Sequence, residues 1–283
     1  MNKYDEALSK FDLNLNEKEI SNNTAEIIEK YKSNFKPEVL RFLFSCIDMT
    51  SLNTDDSRES IWRFTEKIND LDNSKPGVKN VAAICVFPNF VSTVKEALTA
   101  DVRIAAVAGG FPSSQTFPEI KVAEAALAIK DGADEIDIVL NIGEFIDGNW
   151  VELSEEIEEI KTVCGDNVLK VIIETGLLKT PSNIRKATIL SMYSGADFIK
   201  TSTGKIFPGA TPEAVYIICQ TIKEYYKIND KKIGIKISGG IRTADDAVKY
   251  YSIVKEVLGN EWLNPNFFRI GASSLIDDLL EKI

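Results

Sequence analysis

Histidine is absent from all 283 residues of this chain. That excludes His-ligated metal sites, Ser-His-Asp triads and imidazole acid–base catalysis, so proton transfers must fall to carboxylates, lysines, hydroxyls or water. Cysteine is scarce: Cys46, Cys85, Cys164 and Cys219 are widely scattered and show no Cys-x-x-Cys spacing. They read as buried thiols, not as a disulfide framework or a zinc site. No apolar run approaches the roughly 18 residues that a membrane span requires, and the start, Asn2-Lys3-Tyr4-Asp5-Glu6, lacks a signal-peptide apolar region. Positive charge is in the minority, with a net charge of −10, which argues against nucleic-acid binding through a basic face. The composition predicts a soluble, cytoplasmic protein with no nucleic-acid or membrane partner.

What the chain does hold is lysine in unusual company. Gly195-Ala196-Asp197-Phe198-Ile199-Lys200-Thr201-Ser202-Thr203-Gly204-Lys205 reads as a short apolar strand that ends on a lysine and opens into a hydroxyl- and glycine-rich loop. Burying an ammonium without a partner is costly. A lysine there is either paired to a carboxylate or held neutral as a nucleophile, because desolvation or a neighbouring cation lowers its pKa from about 10.4. Ile233-Gly234-Ile235-Lys236-Ile237-Ser238-Gly239-Gly240-Ile241-Arg242-Thr243 repeats the design. Alternation puts Ile233, Ile235 and Ile237 on one face and Gly234, Lys236 and Ser238 on the other. Two lysines facing one cavity repel, and each is expected to depress the other's pKa.

Strands are predicted at 43–48, 81–87, 102–108, 135–140, 169–174, 198–201, 233–238 and 268–271. Amphipathic helices fall between them at 57–69, 91–100, 117–131, 153–163, 183–194, 212–226 and 244–258, and a last one follows Ser274. Thr211 ahead of Pro212-Glu213, and Thr243 three residues before Asp246, mark helix starts. Eight βα units, with no Gly-x-Gly-x-x-Gly turn, predict an α/β chain folded as a (β/α)8 TIM barrel over 39–283. Residues 1–38 are expected to form a helical appendage, one or two helices ending near Pro37, over the barrel bottom or an outer face.

In this fold the functional loops lie at the C-terminal ends of the strands. Asp48 ends the predicted first strand on the face of Phe44 and Cys46. Glu135 and Asp137 share a face of the fourth strand, Lys170 and Glu174 a face of the fifth, and Arg269 lies on the eighth. Glu135, Lys170, Glu174 and Arg269 read as structural ion pairs, since unpaired interior charge is costly. Asp137, nearer the loop end, reads as catalytic. Ser238-Gly239-Gly240 and Gly271-Ala272-Ser273-Ser274 follow strands seven and eight, where barrels commonly build a phosphate site, and Gly204 with Lys205 is placed to close a third side.

These segments resemble the deoxyribose-phosphate aldolases, a class I (Schiff-base) aldolase family, from about Phe44 to Leu280. The matching motifs are 195–205, Val171-Ile172-Ile173-Glu174-Thr175-Gly176, 132–137, 82–88 and 269–275. The resemblance implies a TIM barrel with no metal and no organic cofactor. Its substrate is 2-deoxy-D-ribose 5-phosphate, cleaved reversibly to D-glyceraldehyde 3-phosphate and acetaldehyde. It makes Lys200 the imine-forming lysine, Lys236 the lysine that perturbs it and Asp137 the carboxylate of the proton relay. Thr203, Gly204, Lys205, Gly239, Gly240, Ser273 and Ser274 would then hold the substrate and its phosphate, Cys85 would lie near the pocket, and Asp48 and Thr50 at its rim. Many members carry histidine where this chain has Met49, which implies a different rim. Some end in a tyrosine tail that reaches the site, whereas this sequence ends Leu280-Glu281-Lys282-Ile283, so slower proton transfer is expected. A homodimer is among the assemblies to expect. Two other readings stand beside this one: a transaldolase-like Schiff-base enzyme with a larger donor, and a sugar-phosphate sensor without turnover, which would need the loops but not Lys200, Lys236 and Asp137 together.

Overall fold

A computed structural model describes residues 2–71 and 77–283. Its elements run α1 (Lys3–Ser9), α2 (Glu17–Glu29), α3 (Pro37–Phe44), β1 (Ile47–Thr50), α4 (Arg58–Leu71), β2 (Ala83–Val86), α5 (Val91–Ala97), β3 (Arg103–Ala108), α6 (Pro118–Asp131) and β4 (Glu135–Val139). They continue α7 (Ile142–Asp147), α8 (Trp150–Cys164), β5 (Val168–Ile172), α9 (Thr175–Leu178), α10 (Pro181–Tyr193), β6 (Phe198–Lys200), α11 (Pro212–Asn229), β7 (Gly234–Ser238), α12 (Ala244–Leu258), β8 (Phe268–Ala272) and α13 (Leu275–Lys282). The strands are all parallel and close in chain order, β8 returning to β1, as the TIM barrel expected from the sequence. Among the described residues no helix is long and apolar enough to cross a membrane.

Strand alternation sorts the side chains into two environments. Ile84, Ile104, Ile136, Val171, Ile199, Ile235 and Ile270 face outward and are buried beneath the helices in the main core. The inward face is divided. On the β2–β3 side it is apolar, with Ala83, Cys85, Ala105 and Val107 packed with Leu52 against Phe87 and Phe111. Elsewhere it carries Asp48, Glu135, Asp137, Lys170, Lys200, Lys236 and Arg269, all buried. Gly234 is required here, because a Cβ at that position would lie 2.4 Å from the Phe198 ring, which fills the lower barrel. The Arg269 guanidinium sits 5.8 Å from the centre of that ring, a cation–π arrangement that lets a charged group pack against an apolar one.

Helix starts follow the sequence signals. Thr211 accepts from the Ala214 N–H at 3.2 Å, and Thr243 with Asp246 forms a capping box at the head of α12. Such caps satisfy N–H groups that have no partner within the helix.

The N-terminal region departs from expectation. Pro37 begins a helix instead of ending one, and 43–44, assigned to the first strand, are its last turn. Proline suits a first helical position, because its missing N–H would be unpaired there anyway. The apolar stretch before Asp48 is too short for periodicity alone to separate buried helix from strand. Strand β1 therefore starts at Ile47, which turns Asp48 and Thr50 inward and Ile47 and Met49 toward the helices. Met49 thus packs in the outer core and is not among the residues around the cavity. Helix α1 packs on α8 and α10, and α2 on α11 and α12, so the extension covers an outer face. It is pinned by Tyr4, whose hydroxyl donates to Glu158 at 2.8 Å.

Candidate active site

Lysines from three neighbouring strands converge on one carboxylate of a fourth. Asp137 Oδ1 accepts from Lys170 Nζ at 2.8 Å, and Oδ2 accepts from Lys200 Nζ at 2.8 Å and Lys236 Nζ at 2.7 Å. Register explains the meeting: Asp137 lies beside Lys170 on β5, and Lys200 beside Lys236 on β7. Lys236 Nζ is also 2.6 Å from Asp48 Oδ2. Arg269 donates to Asp48 at 2.6 Å and to Glu135 at 2.8 Å, and Lys170 completes the ring by pairing with Glu135. Glycine at 271 makes room, since a Cβ there would be 3.2 Å from Lys236 Cε.

The charge balance of this ring is uneven. Four basic groups (Lys170, Lys200, Lys236, Arg269) meet three carboxylates (Asp48, Glu135, Asp137) inside the barrel. Arg103 also reaches Glu135 at 3.1 Å, but its side chain is 45% exposed and screened by solvent. One buried positive charge is therefore in excess, and of the four groups it is Lys200 whose pKa is pushed down. Burial, with Lys236 adding repulsion, outweighs Asp137 and lowers the Lys200 pKa. For Lys236 burial pulls the same way, but Asp137 and Asp48 outweigh it and hold its pKa well above the usual lysine range. Lys170 is likewise raised against burial by Asp137 and Glu135. Burial alone would raise the Asp137 carboxyl, yet Lys170, Lys200 and Lys236 together hold it well below its ordinary value. The mutual depression of the two lysines expected from the sequence is thus one-sided: Lys236 touches two carboxylates and Lys200 only one.

Above the ring a cavity of about 260 Å³ opens at the strands' C-terminal ends. Lys200 forms its floor, with Thr50, Thr203, Gly204, Lys205, Gly239, Gly240, Ser273 and Ser274 around it. Positive φ at Gly204, Gly239 and Gly240 (77°, 92° and 90°) bends these loops so that backbone faces the cavity. Ser274 stands at the head of α13, whose N-terminus favours an anion. Lys205 reaches across the mouth and donates to the Leu52 carbonyl.

Other placements differ from expectation. Asp48 is fully buried in the ring and is not a rim residue. Cys85 is also fully buried, in the apolar layer beside the lysines, and burial pushes its thiol up. Among the described residues Glu174 has no ion-pair partner: it lies beyond β5, with φ 50°, and its side-chain hydrogen bonds are to Thr203. Lys170, read as structural, touches Asp137 directly. Ser238 lines the cavity with the two glycines that follow it, as expected, whereas Arg242, Leu52 and Asn53 line it without having been singled out. Arg242, a cation two residues beyond Gly239-Gly240, is the one among them with a usable sequence signal.

Comparison with known proteins agrees with this geometry. The family described as DeoC/LacD family aldolase matches residues 42–279. Deoxyribose-phosphate aldolase of Homo sapiens is 40% identical over 249 residues, covering 84% of this chain and 78% of the human one. The Bos taurus enzyme of the same name is 39% identical over 251 residues, covering 84% and 79%. Among solved structures, the tetrameric deoxyribose phosphate aldolase from Aeropyrum pernix superposes with a TM-score of 0.69 at 25% identity, covering 90% of this chain and 96% of that one. With its family match spanning all eight strands, the chain belongs to the DeoC/LacD family of aldolases.

Proposed function

We propose that this protein reversibly cleaves 2-deoxy-D-ribose 5-phosphate to D-glyceraldehyde 3-phosphate and acetaldehyde through an imine on Lys200. The observation that carries the reading is that Lys200, of the basic groups in the ring, is the one held below its ordinary pKa, and it forms the floor of the cavity. Its neutral amine attacks the C1 aldehyde, and the carbinolamine loses water to give an iminium. A base removes the C3-hydroxyl proton, the C2–C3 bond breaks, and its electron pair moves toward the iminium, leaving an enamine and releasing D-glyceraldehyde 3-phosphate. Protonation at C2 and hydrolysis then free acetaldehyde and Lys200.

Asp137 is the natural relay for those protons, with Lys236 as its protonated partner, because both lie within hydrogen-bond reach of the Lys200 amine or of each other. No step needs a metal or an organic cofactor. Leu52, which lines the cavity, offers no hydrogen-bond partner there, in keeping with a substrate lacking a 2-hydroxyl. Sugar phosphate as partner and the cytoplasm as compartment belong to the same reading. So does a homodimer, supported by Ile120 and Leu127 on α6 and Phe117 just before it, which are 55%, 59% and 74% exposed. Light scattering that returned a monomer mass would remove that assembly.

Borohydride added with deoxyribose 5-phosphate should attach the reduced sugar, or its two-carbon fragment, to a peptide containing Lys200, and turnover should release free acetaldehyde. Labelling at Lys236 or Lys205 would overturn the role assignment. Transfer of a larger donor without acetaldehyde would favour a transaldolase-like reaction.

The loops after β6, β7 and β8 are proposed to hold the phosphate. Ser274→Asp puts a carboxylate at the cavity edge, where repulsion should raise KM for the phosphorylated sugar by about tenfold or more, while 2-deoxyribose itself is affected much less. Equal losses for both sugars would make the loops structural.

A further inference from the structure

Glu174 is a buried acid that the mechanism above does not use. It is 1% exposed and sits just past β5 with φ 50° and ψ 64°. That left-handed backbone is uncommon for any residue but glycine, and it persists where the surroundings hold it. Glycine would relieve it, so the carboxylate side chain has a use that outweighs the strain. Its contacts run to one residue. The Thr203 hydroxyl donates to Oε2 at 2.5 Å, and the Thr203 N–H lies 3.3 Å from both carboxylate oxygens. Among the described residues no cation pairs with it, and burial pushes its carboxyl up from the ordinary value, opposed first by the two Thr203 hydrogen bonds and then by Lys200.

The consequence falls on Thr203, which lines the cavity between Lys200 and Lys205. A threonine hydroxyl has one proton to donate and two lone pairs. Its proton is committed to Glu174, and one lone pair accepts the Lys205 N–H at 3.1 Å. What remains toward the cavity is a single acceptor. We propose that Glu174 is a positioning residue that turns Thr203 into an obligate hydrogen-bond acceptor for a substrate hydroxyl. Given the reading above, with the aldehyde at Lys200 and the phosphate at Gly204, Lys205 and the serine loop, the hydroxyl opposite Thr203 is the one nearest the phosphate, on C4. An acceptor aligned in advance favours a ligand with a donor there and leaves an unpaired polar atom against one without it.

The synthetic direction isolates that hydroxyl. With acetaldehyde as donor, D-glyceraldehyde 3-phosphate is compared with 3-oxopropyl phosphate, which keeps the aldehyde and phosphate but lacks the hydroxyl. The parent protein should prefer the hydroxylated acceptor by about tenfold or more in kcat/KM. Thr203→Val should remove most of that preference. Glu174→Leu removes both acceptor oxygens, so the Thr203 hydroxyl is no longer held and this variant too should lose most of the preference. The double variant should lose no more than the worse single one, because both changes act on one hydrogen bond. Borohydride labelling at Lys200 should persist in all three.

A purely structural Glu174 would lower kcat/KM for both acceptors alike and leave the preference intact, and that result overturns the proposal. So does Thr203→Val losing the preference while folded Glu174→Leu keeps it, with folding judged by thermal midpoint. Absence of borohydride labelling in the parent protein would instead count against the aldolase reading on which this inference rests.

Discussion

Lys200→Met is expected to abolish turnover and borohydride labelling while leaving the fold at least as stable as the parent. Removing the nucleophile of a covalent mechanism should reduce activity by about 10^4 or more, since no neighbour can form the imine in its place. Lys170 and Lys236 are both held protonated by two carboxylates. The stability half of the expectation comes from the charge balance. Without Lys200 the ring holds Lys170, Lys236 and Arg269 against Asp48, Glu135 and Asp137, one cation for each carboxylate. Asp137 keeps Lys170 at 2.8 Å and Lys236 at 2.7 Å, so no buried charge is stranded.

The pH dependence gives a separate check. The folded-state pKa of Lys200 is lowered from 10.5. Between that lowered value and 10.5 the unfolded chain binds the extra proton, so this group's contribution to stability rises with pH across the window. Chemical denaturation of parent and variant should show that rise in the parent, and the Lys200 contribution to it should vanish in Lys200→Met. A variant that unfolds more readily than the parent at neutral pH would mean that Lys200 rests as a charged member of the ring.

The barrel was legible in the sequence because its signals are local. Caps at Thr211 and Thr243, the Pro212 and Ala244 helix starts and the isoleucine alternation of 233–237 each specify their own segment. Where the local signal was ambiguous the reading slipped, as at 43–44, where a helix ending and a strand opening are equally apolar. The lysine and carboxylate positions were legible for the same reason: a charge on the inward face of a strand is conspicuous. Their pairing was not. Lys170 and Asp137 meet across neighbouring strands, and Lys236 reaches Asp48 through the barrel interior. Those contacts depend on register and closure, which periodicity does not encode, and they decide which lysine has its pKa lowered. Glu174 was misread because the residue that ends a parallel strand can turn into a left-handed conformation, and alternation then no longer says where its side chain points.

Lys236→Leu is expected to lower activity at neutral pH by orders of magnitude and to recover part of it as the pH rises. Leucine keeps most of the volume and removes the charge. The ring then holds Lys170, Lys200 and Arg269 against three carboxylates, and the excess positive charge that lowered the Lys200 pKa is gone. Lys200 also loses a repelling neighbour while it keeps Asp137 at 2.8 Å. Both changes raise its pKa. Each unit is about 1.4 kcal/mol, or tenfold in the neutral fraction while the amine is mostly protonated. The loss should therefore shrink by about tenfold per pH unit until the new pKa is passed, and the rate of borohydride labelling should follow the same curve. The substitution also deprives Asp48 and Asp137 of a partner, a destabilisation on the order of 3–5 kcal/mol for a broken buried pair. Circular dichroism at each pH must accordingly show folded protein before the rates are compared. A folded variant with near-parental activity at neutral pH would refute the electrostatic role. A deep loss that stays flat with pH would show instead that Lys236 acts by passing a proton through Asp137, because a missing donor is not restored by deprotonating Lys200.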